Sequence, residues 1–325
     1  MKNRYKICPQ LKIYDNISLT YINYLMFVQS PGIRSKVCNT DNYGLRFNFN
    51  HNLFPKKTIF EECLEFNKKK SSKEQIIILG GSQVFGDGST NDMGTISSNL
   101  TTLSDEFCFN LGGRAFNGFQ EIIQFMLLIK NFKKIKKIII LSGTNDFFMH
   151  SVKAYSKKYP GPMYNNQFFQ DNLKNLKGSL KDQIIRKIKF EKNLPSEDFP
   201  EININEVIER NIEIIKLLGK SLNVEIEFYL SPYIFWGKKN NLFTDEEKKL
   251  INNPQTNHIY DELTKKYNET YELYKNNCKK NSINFYDLNE MISKISERKE
   301  WLFTDRVHMT DLGYQHCARY ILKNF

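Results

Sequence analysis

The sequence predicts a three-layer α/β/α fold built on a five-stranded parallel sheet, and three observations carry that expectation. Five short apolar runs, 75–79, 106–111, 137–142, 224–231 and 283–288, are nearly continuous rather than alternating with polar residues, the pattern of strands buried on both faces. Between them lie stretches of helical period, such as 117–132, where Phe119, Ile122, Ile123, Met126 and Leu127 recur at helix spacing. Strand and helix in alternation is the signature of parallel strands joined by crossover helices. The third observation is where the small and polar residues fall. Gly80-Gly81-Ser82, Gly112-Gly113, Gly143-Thr144-Asn145-Asp146 and Ser231-Pro232 follow the first four runs directly. Ligands of open α/β sheets bind outside the carboxyl ends of the strands, so these four loops are expected to share one rim that carries the function.

In chain order, residues 1–74 precede the first strand and form no strand–helix–strand pattern. Their aromatic content (Tyr14, Tyr21, Tyr24, Phe27, Tyr43, Phe47, Phe49, Phe54) predicts an ordered extension packed on the core rather than a loose tail. Residues 75–325 form the main domain, with two insertions. One, at about 150–205, is long enough to fold into helices and form a lid beside the rim. The other, at about 240–280, carries Tyr260, Leu263, Tyr267, Tyr271 and Tyr274 at helix spacing, a stripe expected to pack rather than bind. Thr310-Asp311-Leu312-Gly313 is expected to cap a terminal helix.

Composition excludes several classes. With 40% hydrophobic and 26% charged residues, a chain of 325 residues folds as one large domain with insertions. The net charge of +11 is spread over helical segments such as 130–137, 181–192 and 275–280, which are expected to be solvated faces, and no basic run accompanies a nucleic-acid module. That charge would also favour an anionic substrate. The basic start, residues 1–9, is not followed by an apolar run and cleavage site, and the longest apolar runs, 21–28 and 137–142, are too short to span a bilayer. Six cysteines stand without a C-x-x-C pair or metal-ligand spacing, so reduced packing residues, a cytoplasmic location and no metal are expected. No glycine-rich phosphate loop is present, and no cofactor is expected.

The chemistry-bearing residues lie at the strand ends. Ser82 follows two glycines, where a tight strand-to-helix turn would present its hydroxyl and its own N–H. A serine needs a base. Asp305 and His308, three apart, suit a short helical turn that sets the carboxylate beside Nδ1 and leaves Nε2 to face the serine. The other histidines, His51, His150, His258 and His316, lack comparable surroundings. Asn145 could aim its amide at a developing alkoxide or simply shape a turn. The segment Asn110-Leu111-Gly112-Gly113-Arg114-Ala115 is small enough at its end for a backbone N–H to approach a bound carbonyl. Arg114 places a cation on the rim that could meet a substrate carboxylate or phosphate. Taken singly, each feature also has an ordinary structural explanation as a turn or a cap.

Together, in this order and at strand ends, the pieces resemble the SGNH hydrolases, the GDSL-type esterase family, over about residues 75–325. Gly80-Gly81-Ser82-Gln83-Val84-Phe85-Gly86 is similar to the first family block, with Gly81 where the family has Asp. Asn110-Leu111-Gly112-Gly113-Arg114-Ala115 is similar to the second, Gly143-Thr144-Asn145-Asp146 to the third and Asp305-Arg306-Val307-His308 to the fifth. The resemblance implies the family's flavodoxin-like fold, with Ser82 as nucleophile, His308 as general base, Asp305 as its orienter and Asn145 as an oxyanion donor. The second-block donor falls on Ala115, or on Gly113 if the register slips. The implied activity is hydrolysis of a small acyl ester, an O-acetyl ester of a carbohydrate or similar polar conjugate, through an acyl-serine. Transfer of the acyl group to a sugar or lipid hydroxyl, and a silent carbohydrate-binding protein of the same fold, are the alternatives. The segment Tyr43-Gly44-Leu45-Arg46 is similar to one in members associated with surface polysaccharides.

Overall fold

A computed structural model of the chain describes residues 4–49, 58–70, 73–151, 203–251, 261 and 263–324. The insertion expected at about 150–205 lies almost wholly outside the described residues, as do His51, His258 and Tyr260. An antiparallel hairpin of β1 (Leu19–Ile22) and β2 (Met26–Gln29) forms in the N-terminal segment. The main sheet comprises β3 (Gln75–Gly80), β4 (Phe107–Gly112), β5 (Ile135–Ser142), β6 (Glu225–Leu230) and β7 (Asn284–Asp287), all parallel, in the order β4-β3-β5-β6-β7. The expected strands and their all-parallel sheet are therefore present, with ends shifted by one or two residues.

The near-continuous apolar runs have a direct physical cause. In a strand successive side chains point to opposite faces, so a sheet covered by helices on both sides needs apolar residues at every position. Ile77 and Leu79 of β3 and Ile138 and Ile140 of β5 join one core cluster, whereas Ile76, Ile78, Ile139 and Leu141 join the other. On the first face lie the helices Gly118–Leu128, Ile204–Leu222 and Tyr267–Lys280; on the second lie Ile96–Ser104, Leu288–Ser296 and Asp311–Leu322. Each fully buried Ile or Leu contributes about 1.5–3 kcal/mol, which favours the apolar stretches Ile76–Leu79 of β3 and Ile138–Leu141 of β5, while the buried Lys137 of β5 and Glu227 of β6 pair with each other at 2.6 Å. Helix starts follow local chemistry: Asn117 and Gln120 form a reciprocal capping box, and Thr310 accepts from Gly313 N–H to start the terminal helix.

One expectation is corrected here. The stretch 240–280 is not a simple insertion, because Tyr267–Lys280 is the crossover helix that leads into β7 and packs on the first core face. Tyr274 in its stripe is buried, in keeping with packing, although its hydroxyl also reaches Asp146.

The N-terminal segment packs directly against the sheet domain. Its helix Ile59–Lys68 buries Ile59 and Cys63 in the same cluster as Phe107 and Phe109 of β4. Arg46, fully buried, donates from Nε to Asp92 Oδ1 at 2.9 Å and from Nη1 to the carbonyls of Phe85 and Gly86 at 3.1 and 2.8 Å. The 43–46 segment is thereby a clamp behind the turn that follows Ser82. Removing Arg46 would leave Asp92 as a buried charge without its cation, at a cost of about 3–5 kcal/mol.

The registers explain why the loops meet. Gly80 stands level with Gly112 of β4 and Leu141 of β5, and Ser142 with Leu230 of β6. From β3 the chain goes outward to β4 and then returns to β5 on the other side, so the order reverses beside β3. That reversal opens the crevice where α/β sheets bind ligands.

Candidate active site

Ser82 begins the short helix Ser82–Phe85 directly after β3. Its Oγ lies 2.8 Å from His308 Nε2, and His308 Nδ1 lies 2.7 Å from Asp305 Oδ2. Residues 226 positions apart in sequence are thus joined in one hydrogen-bonded line. The Asp305–His308 segment departs from the expected helical turn. It is an irregular loop pinched at its base by a bridge between Phe303 and Met309, in which Asp305 Oδ1 accepts from the N–H groups of Val307 and His308 at 2.8 and 2.7 Å. One carboxylate oxygen shapes the loop and the other holds the imidazole.

The charges follow from this arrangement. Burial works against ionisation of Asp305, but the facing His308 and the two backbone donors outweigh it and hold the carboxyl down at about 2. Burial alone would likewise depress His308, but the charge and hydrogen bond of Asp305, with a further contribution from Asp87, raise it above the usual histidine value.

Asn145 opens the helix Thr144–Ser151 after β5, and its Nδ2 donates to Phe116 O at 2.7 Å. This explains the glycine before Ser82. Gly81 has an ordinary negative φ of −81°, but a Cβ there would stand 2.8 Å from Asn145 Nδ2, so an Asp at this position would push that amide away.

The two second-block residues differ. Gly113 N–H donates to Gly80 O at 3.0 Å and is occupied in joining the ends of β3 and β4. The N–H groups of Ser82 and Ala115 have no acceptor among the described residues. Ala115 has a φ of +60°, unusual for a residue with a Cβ. Arg114 reaches the rim as expected, but its charge is engaged: Nε donates to both oxygens of Asp87 at 3.1 and 2.8 Å.

Two residues of the site were not singled out from the sequence. Asp87, buried, places Oδ2 at 3.8 Å from His308 Nε2, so the imidazole lies between two carboxylates. Its signal was an acid framed by glycines, Gly86-Asp87-Gly88, five residues after the serine. Gln83 Nε2 donates to the carbonyls of Pro232, at 2.6 Å, and Val307, tying the serine turn to the loop after β6 and to the histidine loop. A polar residue in a helical turn gives no such signal. Of the other histidines, His316 does have a carboxylate, with Nε2 at 2.8 Å from Glu300, but neither residue lines the cavity described next.

Ser82, His308, Asn145, Ala115, Arg114 and Asp87 line one cavity of about 450 Å³. Its outer wall includes Asp15, Ile17 and Leu19 of the N-terminal segment together with Phe148 and Leu263, so polar and apolar surfaces meet there. A second space of about 20 Å³ adjoins Ser82 and Asn145 and is bordered by Glu121, Ser142 and Ser231. The four strand-end loops do share a rim. All six cysteines are free and buried, and the described residues include no His/Cys/Asp/Glu cluster that could hold a metal. No helix among the described residues is long and apolar enough to cross a membrane.

Residues 79–321 match a family model described as GDSL-like Lipase/Acylhydrolase. No curated protein sequence matches the chain. Among solved structures, an acetyl xylan esterase is similar at 13% identity and a TM-score of 0.42, covering 77% of this chain and 98% of its own. A mutant acetyl-xylooligosaccharide esterase from Geobacillus is similar at 15% identity and a TM-score of 0.44, covering 78% and 95%. A lipase/acylhydrolase from Enterococcus faecalis is similar at 13% identity and a TM-score of 0.42, covering 77% and 94%.

Proposed function

Because the chain belongs to the GDSL-like lipase/acylhydrolase family and is a hydrolase, we propose that it is a serine esterase acting on a small O-acyl ester, an O-acetyl ester of a carbohydrate or similar polar conjugate. The observation that carries this is the line from Asp305 through His308 to Ser82, with both hydrogen bonds at 2.7–2.8 Å. Ser82 Oγ attacks the carbonyl carbon while its proton passes to His308 Nε2, and Asp305 stabilises the imidazolium that forms. The oxyanion is held by the N–H groups of Ser82 and Ala115 and by Asn145 Nδ2; Gly113, with its N–H engaged, has no part in it. His308 then returns the proton to the leaving alkoxide. In the second half, His308 takes a proton from water, whose oxygen attacks the acyl carbon, and returns that proton to Ser82 Oγ as the acyl–oxygen bond breaks and the acid leaves.

The substrate class is supported by the cavity. Asp15, Asp87, Arg114, Thr144 and Asn145 give it a wall of hydrogen-bonding groups suited to a hydroxyl-rich alcohol, while Ile17, Leu19 and Phe148 supply apolar surface. Labelling with a fluorophosphonate, followed by peptide mass analysis, tests the nucleophile. An adduct on Ser82, lost in Ser82→Ala, is expected; no adduct, or one elsewhere, overturns the reading and favours a silent binding protein. Incubation with an acetyl ester and excess sugar alcohol separates hydrolysis, which releases acetate alone, from transfer, which makes a new ester.

A further inference from the structure

Ala115 sits in a backbone conformation that its side chain disfavours. A φ of +60° lies in the left-handed region, which a residue with a Cβ adopts at a cost and glycine adopts freely. Such a conformation persists only where the surroundings over-determine it. Both neighbours of Ala115 are anchored. Arg114 N–H donates to Gln29 Oε1 at 3.3 Å, its Nη1 donates to Ile17 O at 3.3 Å, and its Nε is held by Asp87. Gln29, fully buried at the end of β2, donates in turn to the carbonyls of Gly44 and Gly112. The Asp87 carbonyl accepts from the Tyr314 hydroxyl of the terminal helix. On the other side, Phe116 N–H donates to Gly113 O at 3.2 Å, and the Phe116 ring meets Phe27 of β2 edge-on at 5.9 Å. Ile17, Phe27, Gln29 and Gly44 among these anchors come from the N-terminal segment, while Asp87, Gly112, Gly113 and Tyr314, and Asn145 on the Phe116 carbonyl, come from the sheet domain.

We propose that the N-terminal segment is the positioning element of the oxyanion pocket: Ile17 and Gln29, acting through Arg114 and its partner Asp87, hold Ala115 in the left-handed conformation that presents its N–H to the cavity. The inference rests on the assignment of Ala115 as an oxyanion donor. Gln29, Arg114 and Asp87 act on the backbone of a neighbour and are positioning residues. The segment outside the sheet domain thus completes the catalytic machinery, which gives its close packing a purpose beyond stability.

The test is whether glycine at position 115 makes the anchors dispensable. kcat and KM for p-nitrophenyl acetate are measured for Gln29→Ala and Arg114→Gln, each with alanine and with glycine at 115, and compared with the corresponding parent. With alanine, Arg114→Gln is expected to lower kcat roughly 10- to 100-fold with KM within about threefold, because a transition-state donor is displaced while ground-state binding persists. Gln29→Ala, a milder change that keeps the test open should Arg114→Gln fail to fold, is expected to lower kcat about 3- to 10-fold. In the Ala115→Gly background both losses are expected to shrink below about threefold, since glycine adopts positive φ unaided. Equal losses in both backgrounds, or losses confined to KM, overturn the proposal and leave the esterase assignment standing. A wild-type protein with neither turnover nor a fluorophosphonate adduct overturns both.

Discussion

Two acidic clusters lie at the carboxyl end of the sheet and respond to burial in opposite ways. Asp305 faces His308 and accepts two backbone N–H groups, and its carboxyl is held down at about 2. Glu121, in the first turn of the helix after β4, receives only the Ser142 hydroxyl on Oε1 at 2.9 Å, and its Oε2 has no partner among the described residues. Burial, reinforced by nearby Asp146, drives its carboxyl far above the usual range. Asp146 itself is raised by burial although Gly118 N–H and the Tyr274 hydroxyl partly offset the effect. Burial alone therefore does not decide ionisation. A carboxylate with a cation and directed donors stays charged and can orient a base, while one that has only a hydroxyl keeps its proton and serves as a neutral hydrogen-bonding group.

The largest expected effects break the charged half of this comparison. His308→Ala removes the proton acceptor, and Asp305→Asn removes the charge that orients it and steadies the imidazolium; each is expected to lower kcat on the order of 10⁴-fold or more, by analogy with other triads. Turnover of p-nitrophenyl acetate measures it. More than a tenth of wild-type kcat in either variant would show that the line through His308 is not the catalytic one.

A smaller effect sharpens the comparison, because Asp87 is a carboxylate that touches the histidine from the other side. The base must be neutral to accept a proton, so kcat/KM rises with pH through the His308 pKa, which the charges of Asp305 and Asp87 raise. Asp87→Asn removes one of those charges and is expected to move the acidic limb of the kcat/KM profile to lower pH, by up to about one unit. A limb that stays in place, or moves upward, would mean that Arg114 already neutralises Asp87 as far as the imidazole is concerned.

The fold was legible because one simple force writes it: five doubly covered strands leave five apolar runs, and a break in each run marks an end on the rim. Ser82, Asn145 and His308 were legible for a related reason, since each lies next to such a break or a cap. What escaped was whatever depends on distant partners. Nothing local distinguishes Arg114 as a substrate cation from Arg114 as the partner of Asp87, because the decision rests on a chain segment 27 residues away. The choice between Gly113 and Ala115 was equally closed to inspection, since it turns on whether one N–H meets Gly80 O. The Asp305–His308 spacing suited a helical turn equally well, and only the Phe303–Met309 bridge selects the irregular loop.

The smallest expected effect concerns the neutral cluster and is read in stability. Glu121 keeps its proton in the folded protein but releases it on unfolding above about pH 4.3, the ordinary glutamate value. The folded state therefore binds more protons than the unfolded one from that pH up to the raised folded value, and stability falls as pH rises through the window. Glu121→Gln keeps the shape and can still accept from Ser142, yet has no proton to release. The drop in Tm between pH 5 and pH 8 is expected to be smaller in Glu121→Gln than in the wild type. His308, with its raised pKa, contributes stability that is lost in the same direction, as pH rises through its folded value, so only the difference between the two proteins isolates Glu121. An unchanged pH dependence of Tm would mean that Glu121 is ionised in the folded state, and the contrast with Asp305 would then rest on geometry and not on charge.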